Sequence, residues 1–362
     1  MPTSRPSART IDQQRGITVR LSSNESAYGP SPAAMRAARD ALEDTRFYPD
    51  DANRALREAL AEADGVDVDR IAVAAGSTPL LLDIIELAAI DGGELLTFDR
   101  AFVAYSVGAA NARARHVKAP VGGPATHDLP GYMRDPEALL DLVSPRTKVV
   151  IIDNPGNPSG AHLTGDQLRG LVERLPEHLV VVVDEAYHHF GHGQSGYATT
   201  AELGLAHPGL VTVRTFSKAH ALAGLRAGYL IGPTAFVAGI EARRPRFNIP
   251  TTSQAAAIAS LADTDNVRRV VNATIAGRRR LTSGLRELGV ACTESLGNFV
   301  TVELGTASPP IVDAYRRSGI GVRPLEPYGM TEQIRVTVGT SPQIDTFLAT
   351  SASVLARVPS SG

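Results

Sequence analysis

The chain has 362 residues, 43% apolar and 20% charged, and a formal net charge of −2. That length suits two domains at roughly one per 150 residues, and the mixed, nearly balanced charge excludes nucleic-acid or anionic-membrane binding through bulk electrostatics. A single cysteine, Cys292, excludes an internal disulfide and fits a reducing compartment, so the expected location is the cytoplasm.

In chain order, Met1 to Arg20 is polar, Arg-containing and Pro/Ser-rich, without the apolar stretch of a secretory signal. It begins an irregular N-terminal arm, residues 1–32. Ser31–Asp44 reads as a helix with Pro32 near its start and Met35, Ala38 and Leu42 on one face, and Ala52–Ala63 as a second. A rhythm of short β-branched runs follows: Ile71–Ala75, Glu94–Phe98, Val149–Asp153, Leu179–Asp184, Leu210–Arg214 and Gly228–Ile231. Helical patterns such as Pro79–Ile90 and Thr164–Arg174 lie between them. Glu86 interrupts the most apolar helical segment, which is too short to span a bilayer.

The runs are continuous rather than alternating, as strands covered on both faces require. Their alternation with helices predicts an α/β fold with a mainly parallel central sheet. From about Pro233 the texture changes to helices (Ser253–Ala262, Asn266–Leu288), strands near Phe299–Glu303 and Ile334–Val338, and a closing helix near Ile344–Leu355. The expected division is a large domain over 33–235 and a smaller α+β domain over 236–362.

Open α/β sheets bind ligands beyond the carboxyl ends of their strands. The polar clusters fall there: Gly76-Ser77-Thr78, Asn154 to Gly160, Asp184-Glu185-Ala186-Tyr187 and Thr215 to Lys218. Of 36 basic residues only Lys118, Lys148 and Lys218 are lysines. Arginine replaces lysine on a solvated surface but not where a neutral amine is needed, because guanidinium stays charged. Lys218 stands beside Ser217 and eight residues before Arg226, on a turn bordered by glycines. An amine to form a Schiff base, with a hydroxyl and a guanidinium to hold a phosphate, suits a phosphorylated carbonyl compound. Taken alone, Asp184 reads as a helix cap or a metal ligand, Asn157 as a turn residue and Tyr187 as a half-buried core aromatic.

Together these motifs resemble the fold type I aminotransferases dependent on pyridoxal 5′-phosphate (PLP). The closer resemblance is to the histidinol-phosphate aminotransferase-like branch, with its relatives acting on aromatic amino acids. It runs from about Leu21 to Val338 and rests on Ser23-Asn24-Glu25, Arg46-Phe47-Tyr48-Pro49, Asn154-Pro155-Gly156-Asn157-Pro158-Ser159-Gly160, Asp184-Glu185-Ala186-Tyr187, Ser217-Lys218 and Ile334-Arg335-Val336.

The resemblance implies that Lys218 carries PLP and moves the proton at the substrate Cα. Asp184 pairs with the pyridine nitrogen, and Asn157 and Tyr187 bond the ring oxygen. Ser77, Thr78, Ser217 and Arg226 hold the phosphate at a helix start, and Phe102 stacks on the ring. Tyr48 reaches the neighbouring subunit's phosphate, which implies a homodimer with shared sites. Arg335 grips the substrate's acidic group, with Arg323, Tyr28 and Asn24 near it; a surface salt bridge and a loop anchor explain Arg323 and Tyr28 equally well.

The pattern departs in places. Thr78-Pro79 replaces an acidic pair common in the family, and Arg100-Ala101-Phe102 replaces a Pro-x-aromatic; a similar Arg-x-Phe occurs in actinobacterial relatives regarded as aromatic aminotransferases. His189 stands where glutamate is common. His188, His189 and His192 raise the thought of a metal, but adjacent histidines point to opposite faces of an extended segment, and no metal is expected. Arg246 adds a cation that either faces a pocket mouth or is solvated. The expected reaction is transamination of an aromatic amino acid or histidinol phosphate with the 2-oxoglutarate/glutamate pair. Decarboxylation or another reaction at Cα on the same fold, as in specialised-metabolite enzymes, is the alternative.

Overall fold

The computed structural model describes residues 16–122, 132–194 and 196–355; the start of the N-terminal arm and the last seven residues lie outside them. Seven strands form the central sheet: β1 (Ile71–Ala74), β2 (Glu94–Phe98), β3 (Arg115–Ala119), β4 (Thr147–Asp153), β5 (Val180–Asp184), β6 (Leu210–Thr215) and β7 (Gly228–Ile231). Their order is β1-β7-β6-β5-β4-β2-β3, parallel throughout except for β7, which runs antiparallel to both neighbours.

The continuous apolar runs have the cause expected of them. Val182 packs into the core on one face with Ile84, Ile85 and Tyr105, while Val181 and Val183 pack into the core on the other with Leu168 and Leu171. Alternate side chains of one strand thus fill two cores. Strand β3 escapes the sequence pattern because it is an edge whose first four residues, Arg-His-Val-Lys, are partly solvated.

Helix α1 (Pro32–Asp40) begins at Ser31, whose hydroxyl accepts from the Ala34 N–H, and tightens into a 3₁₀ turn over Ala41–Asp44. Its buried face is Ala34 and Ala38; Leu42, expected on that face, is 58% exposed. Four further helices matter to the site: α2 (Arg54–Asp64), α3 (Ser77–Ala89), α4 (Val103–Asn111) and α5 (Gly165–Arg174). The capping box of Thr164 and Gln167 sets the start of α5 where its sequence places it.

The change of texture at Pro233 is not where the first set of cores ends. Helix α6 (Thr234–Arg243) puts Val237 and Ile240 into the core beneath the sheet, and α7 (Thr251–Ala262) packs on α1 and α2. The long α8 (Thr264–Glu287) leads to a separate core built with β8 (Phe299–Glu303), α9 (Ser308–Arg317), β9 (Gln333–Thr337) and α10 (Ser341–Leu355). Arg323–Pro324 pairs with β9, and Val19–Arg20 pairs with Ile320–Gly321, tying the arm to this part of the chain. Among the described residues no helix is long and apolar enough to cross a membrane.

Candidate active site

Strands β4, β5 and β6 end together, and a cavity of about 520 Å³ opens over their carboxyl ends. That is the size of a small-molecule site. Of the fourteen residues the sequence singled out, twelve line it: Asn24, Ser77, Thr78, Phe102, Asn157, Asp184, Tyr187, Ser217, Lys218, Arg226, Arg323 and Arg335. Tyr28 does not; its hydroxyl donates to the Ala273 carbonyl at 3.1 Å. Tyr48 stands away too, 81% exposed and stacked on Phe247.

Asp184 terminates β5 and is buried. Its Oδ1 accepts from the Ala186 N–H at 3.0 Å and its Oδ2 from the Tyr105 hydroxyl at 2.8 Å. Burial pushes its carboxyl up to about 7; nearby Asp153 adds to the rise, and the two hydrogen bonds oppose it. A carboxylate so placed is poised to take a cationic N–H.

Lys218 follows β6. Its Nζ donates to the Asn24 carbonyl at 3.2 Å and lies 5.5 Å from the centre of the Tyr187 ring. Burial, then the charge of Arg335, lowers its amine to about 8. Asn24 itself is held in a left-handed conformation (φ 53) that asparagine tolerates. Its amide donates to the Tyr187 hydroxyl at 3.0 Å, and its N–H to Thr337 at 2.9 Å.

At the far wall, helix α3 starts at Ser77. A Cβ on Gly76 would stand 2.3 Å from Arg226 Nη2, and one on Gly228 would stand 2.4 Å from the Ser77 nitrogen. Glycine at both positions lets a guanidinium, a helix N-terminus and the Ser217 hydroxyl converge; Arg226 Nη1 donates to Ser217 Oγ at 3.3 Å. Free N–H groups, a hydroxyl and a cation form a cradle for a phosphate. Arg226, like Asn24, has positive φ (52), a conformation arginine holds only where its surroundings fix it.

Arg335 projects from β9 and also lines the cavity, 6% exposed. It donates to Asn157 Oδ1 at 2.5 Å and to the Ser22 carbonyl at 3.1 Å, but its buried Nε–H finds no partner among the described residues. An unpaired buried donor is costly, and a ligand oxygen would satisfy it. Arg323 sits at the rim, exposed, donating to the Ser22 carbonyl.

Several lining residues escaped the sequence reading: Tyr105, Asp153 and Tyr328. Tyr105 had a signal, standing in the first turn of the helix that follows Phe102. Arg246 pairs with Asp51 at 3.1 Å, the solvated reading. His188 and His189 pack ring to ring at 3.9 Å, and His189 meets His220 edge-on. Burial lowers all three imidazoles, His220 to about 4. Among the described residues no group of His, Cys, Asp or Glu is gathered as a metal site.

A lysine and an aspartate at adjacent strand ends, sharing one cavity with groups able to cradle a phosphate and with a buried arginine, define a fold type I aminotransferase. Residues 17–350 match the family aminotransferase class I and II, and the chain belongs to it. It is 39% identical over 341 residues to histidinol-phosphate aminotransferase 2 of Methylococcus capsulatus, covering 93% of this chain and 90% of that one. It is 35% identical over 331 residues to the aromatic amino acid aminotransferase of Rhodococcus erythropolis, with 91% and 88% covered. The crystal structure of histidinol-phosphate aminotransferase from Sinorhizobium meliloti in complex with pyridoxal-5′-phosphate superimposes with a TM-score of 0.86 at 28% identity, covering 98% of this chain and 96% of that one.

Proposed function

We propose that this protein uses PLP to move an amino group between an aromatic amino acid or histidinol phosphate and a 2-oxo acid, with glutamate and 2-oxoglutarate as the second pair. The observation that carries this reading is one cavity with Lys218, Asp184 and Arg335 on its walls and a phosphate cradle closing it. When bound, PLP supplies an aldehyde that captures amines and a ring that accepts electrons.

The chain's own residues do the rest. With PLP bound, Arg226, Ser217, Thr78 and the Ser77 N–H would hold its phosphate, and Phe102 would pack against its ring. Asp184 would accept a ring N–H and favour its charge. Tyr187 and Asn157 would bond the ring oxygen. Lys218, its amine lowered to about 8 by burial, would take the proton from the substrate Cα and pass it to the C4′ carbon of the cofactor. Arg335 orients the substrate through its carboxylate or, in histidinol phosphate, its phosphate, satisfying the open Nε–H. Asn24 holds Lys218 and Tyr187 in place, and Arg323 adds a cation to the cavity lining near Arg335, with Tyr28 anchoring the Asn24 segment.

Leu42, Phe47 and Tyr48 are exposed within seven residues of chain, and Tyr48 stacks on Phe247; exposed large apolar side chains there support a homodimer in which Tyr48 reaches the partner's phosphate. The buried, unpaired Cys292 supports a cytoplasmic location. Decarboxylation or other chemistry at Cα is not favoured, since the relatives are named for transamination.

The test begins with the visible absorbance of PLP-saturated protein. Glutamate should bleach the band with one 2-oxoglutarate released per site, and borohydride should fix the label on Lys218. Lys218→Ala should lose both the label and all multiple-turnover activity. A colourless protein that ignores added PLP, or an active Lys218→Ala, would overturn the reading. A donor panel including histidinol phosphate and phenylalanine then assigns the substrate.

A further inference from the structure

A buried charge pair adjoins the site. Arg134 Nη2 donates to Asp153 Oδ1 at 2.6 Å, and Nη1 donates to the Asp153 carbonyl; the two side chains are 2% and 5% exposed. The guanidinium also lies 5.2 Å over the Phe98 ring. A glycine makes this possible. A Cβ on Gly156 would fall 2.0 Å from Arg134 Nη2 and 2.5 Å from Cζ, so any other residue there would expel the guanidinium. Gly156 does not have the positive φ that would by itself require glycine. Its need is steric, and it is set by Arg134.

The pair faces the chemistry on two sides. Asp153 ends β4 directly opposite Asp184 on β5, in parallel register. Side chains at paired positions leave the same face of a sheet, with strands about 4.8 Å apart. Asp153 lines the cavity, and its other oxygen, Oδ2, accepts the Asn157 N–H at 2.9 Å. Asn157 in turn receives Arg335. A continuous chain of contacts therefore runs from Arg134 through Asp153 and Asn157 to the arginine proposed to hold the substrate. A buried ion pair is a poor way to gain stability, because desolvation offsets the attraction. Its place between two site residues gives it a different purpose.

Resting on the aminotransferase reading, we propose that Arg134 and Asp153 are positioning residues: admitted by Gly156, they fix the Asn157 turn, and through it Arg335, and hold a second negative charge beside Asp184. The charged and titratable groups facing Asp153 are Arg134, Asp184, Tyr105 and Tyr187. Asp153→Asn keeps the shape and the acceptor for Asn157 but strips the negative charge and leaves Arg134 unopposed. Protonated groups of the bound cofactor then give up their protons at lower pH.

The experiment titrates the visible absorbance of the PLP-loaded protein against pH and measures KM and kcat for the amino donor. For Asp153→Asn the absorbance midpoint should fall, by on the order of one pH unit, and KM should rise several-fold more than kcat falls. The double variant Arg134→Met/Asp153→Asn removes both charges and should bring the midpoint back most of the way to wild type. If Asp153→Asn does not take up PLP, Arg134→Lys carries the test. It keeps the charge but loses the fork, so its midpoint should stay and its KM should rise. Midpoint and KM both unchanged, with only a lower melting temperature, would reduce the pair to a structural strut and overturn the proposal. A wild-type protein with no visible band that glutamate bleaches fails the aminotransferase reading instead, so the two failures are distinct.

Discussion

The hydroxyl of Tyr105 donates to Oδ2 of Asp184 at 2.8 Å, from a helix that shares no strand with it. That bond opposes the rise in the proton affinity of Asp184 caused by burial and by Asp153. Without it the carboxylate is a poorer partner for a cationic ring. Tyr105→Phe preserves the packing of a fully buried side chain and removes only the donor. The expected result is about tenfold weaker PLP binding, equivalent to ~1.4 kcal/mol for a hydrogen bond to a charged group. Equilibrium titration by absorbance measures it; an unchanged Kd would return Tyr105 to the role of core filler.

The same carboxylate governs how the cofactor-free protein responds to pH. In the folded chain Asp184 holds its proton up to about 7, mainly because it is buried, against 3.8 for an ordinary aspartate. A group with a raised folded value contributes stability below its unfolded value and loses that contribution as pH climbs through the folded one. Asp184 therefore destabilises the apoprotein progressively from about pH 4 to about pH 7, and the penalty stays constant above that range. Apo Asp184→Asn should be more stable than apo wild type at pH 8, with the gap closing towards pH 4. Urea midpoints at several pH values check this, and a gap independent of pH would show that Asp184 is not the titrating group.

Much of this site was legible because its residues follow apolar runs. Asp184 ends β5 and Lys218 follows the end of β6, and an apolar run that stops at a polar residue announces the carboxyl end of a strand. Residues that come from elsewhere left weaker marks. Arg134 and Asp153 are far apart in sequence, and neither marks the other; only the packed loop shows why residue 156 is glycine. The edge strand β3 was invisible because its solvated side chains lack an apolar run. Helices α6 and α7 look like the start of a second domain by composition, yet their contacts tie them to the first cores. Leu42 fits the face of a helix that tightens before reaching it, and so ends up in solvent.

Arg335 is held at two of its nitrogens, and the third is open. Arg335→Lys keeps a charge but cannot hold Asn157, Ser22 and a substrate oxygen at once. A loss of kcat/KM of about a hundredfold for carboxylate donors is expected, or ~2.7 kcal/mol for losing a charge-assisted contact. PLP binding, measured in parallel, should change little. Steady-state kinetics with undiminished kcat/KM would move substrate recognition to Arg323.

Tyr48 lies outside the cavity of its own chain. Tyr48 is 81% exposed and stacks on Phe247, their ring centres 4.5 Å apart and nearly parallel. A large exposed aromatic is suited to meeting a partner surface. If Tyr48 completes the neighbouring site, Tyr48→Phe should leave a dimer by light scattering but weaken PLP binding several-fold through loss of one phosphate hydrogen bond. Mixing then separates its two possible addresses. In a hybrid of a Lys218→Ala subunit with a Tyr48→Phe subunit, the only lysine-bearing site receives an intact Tyr48 from across the interface and should bind PLP with wild-type affinity. If Tyr48 serves its own site instead, that lysine-bearing site keeps the weakened affinity in the hybrid.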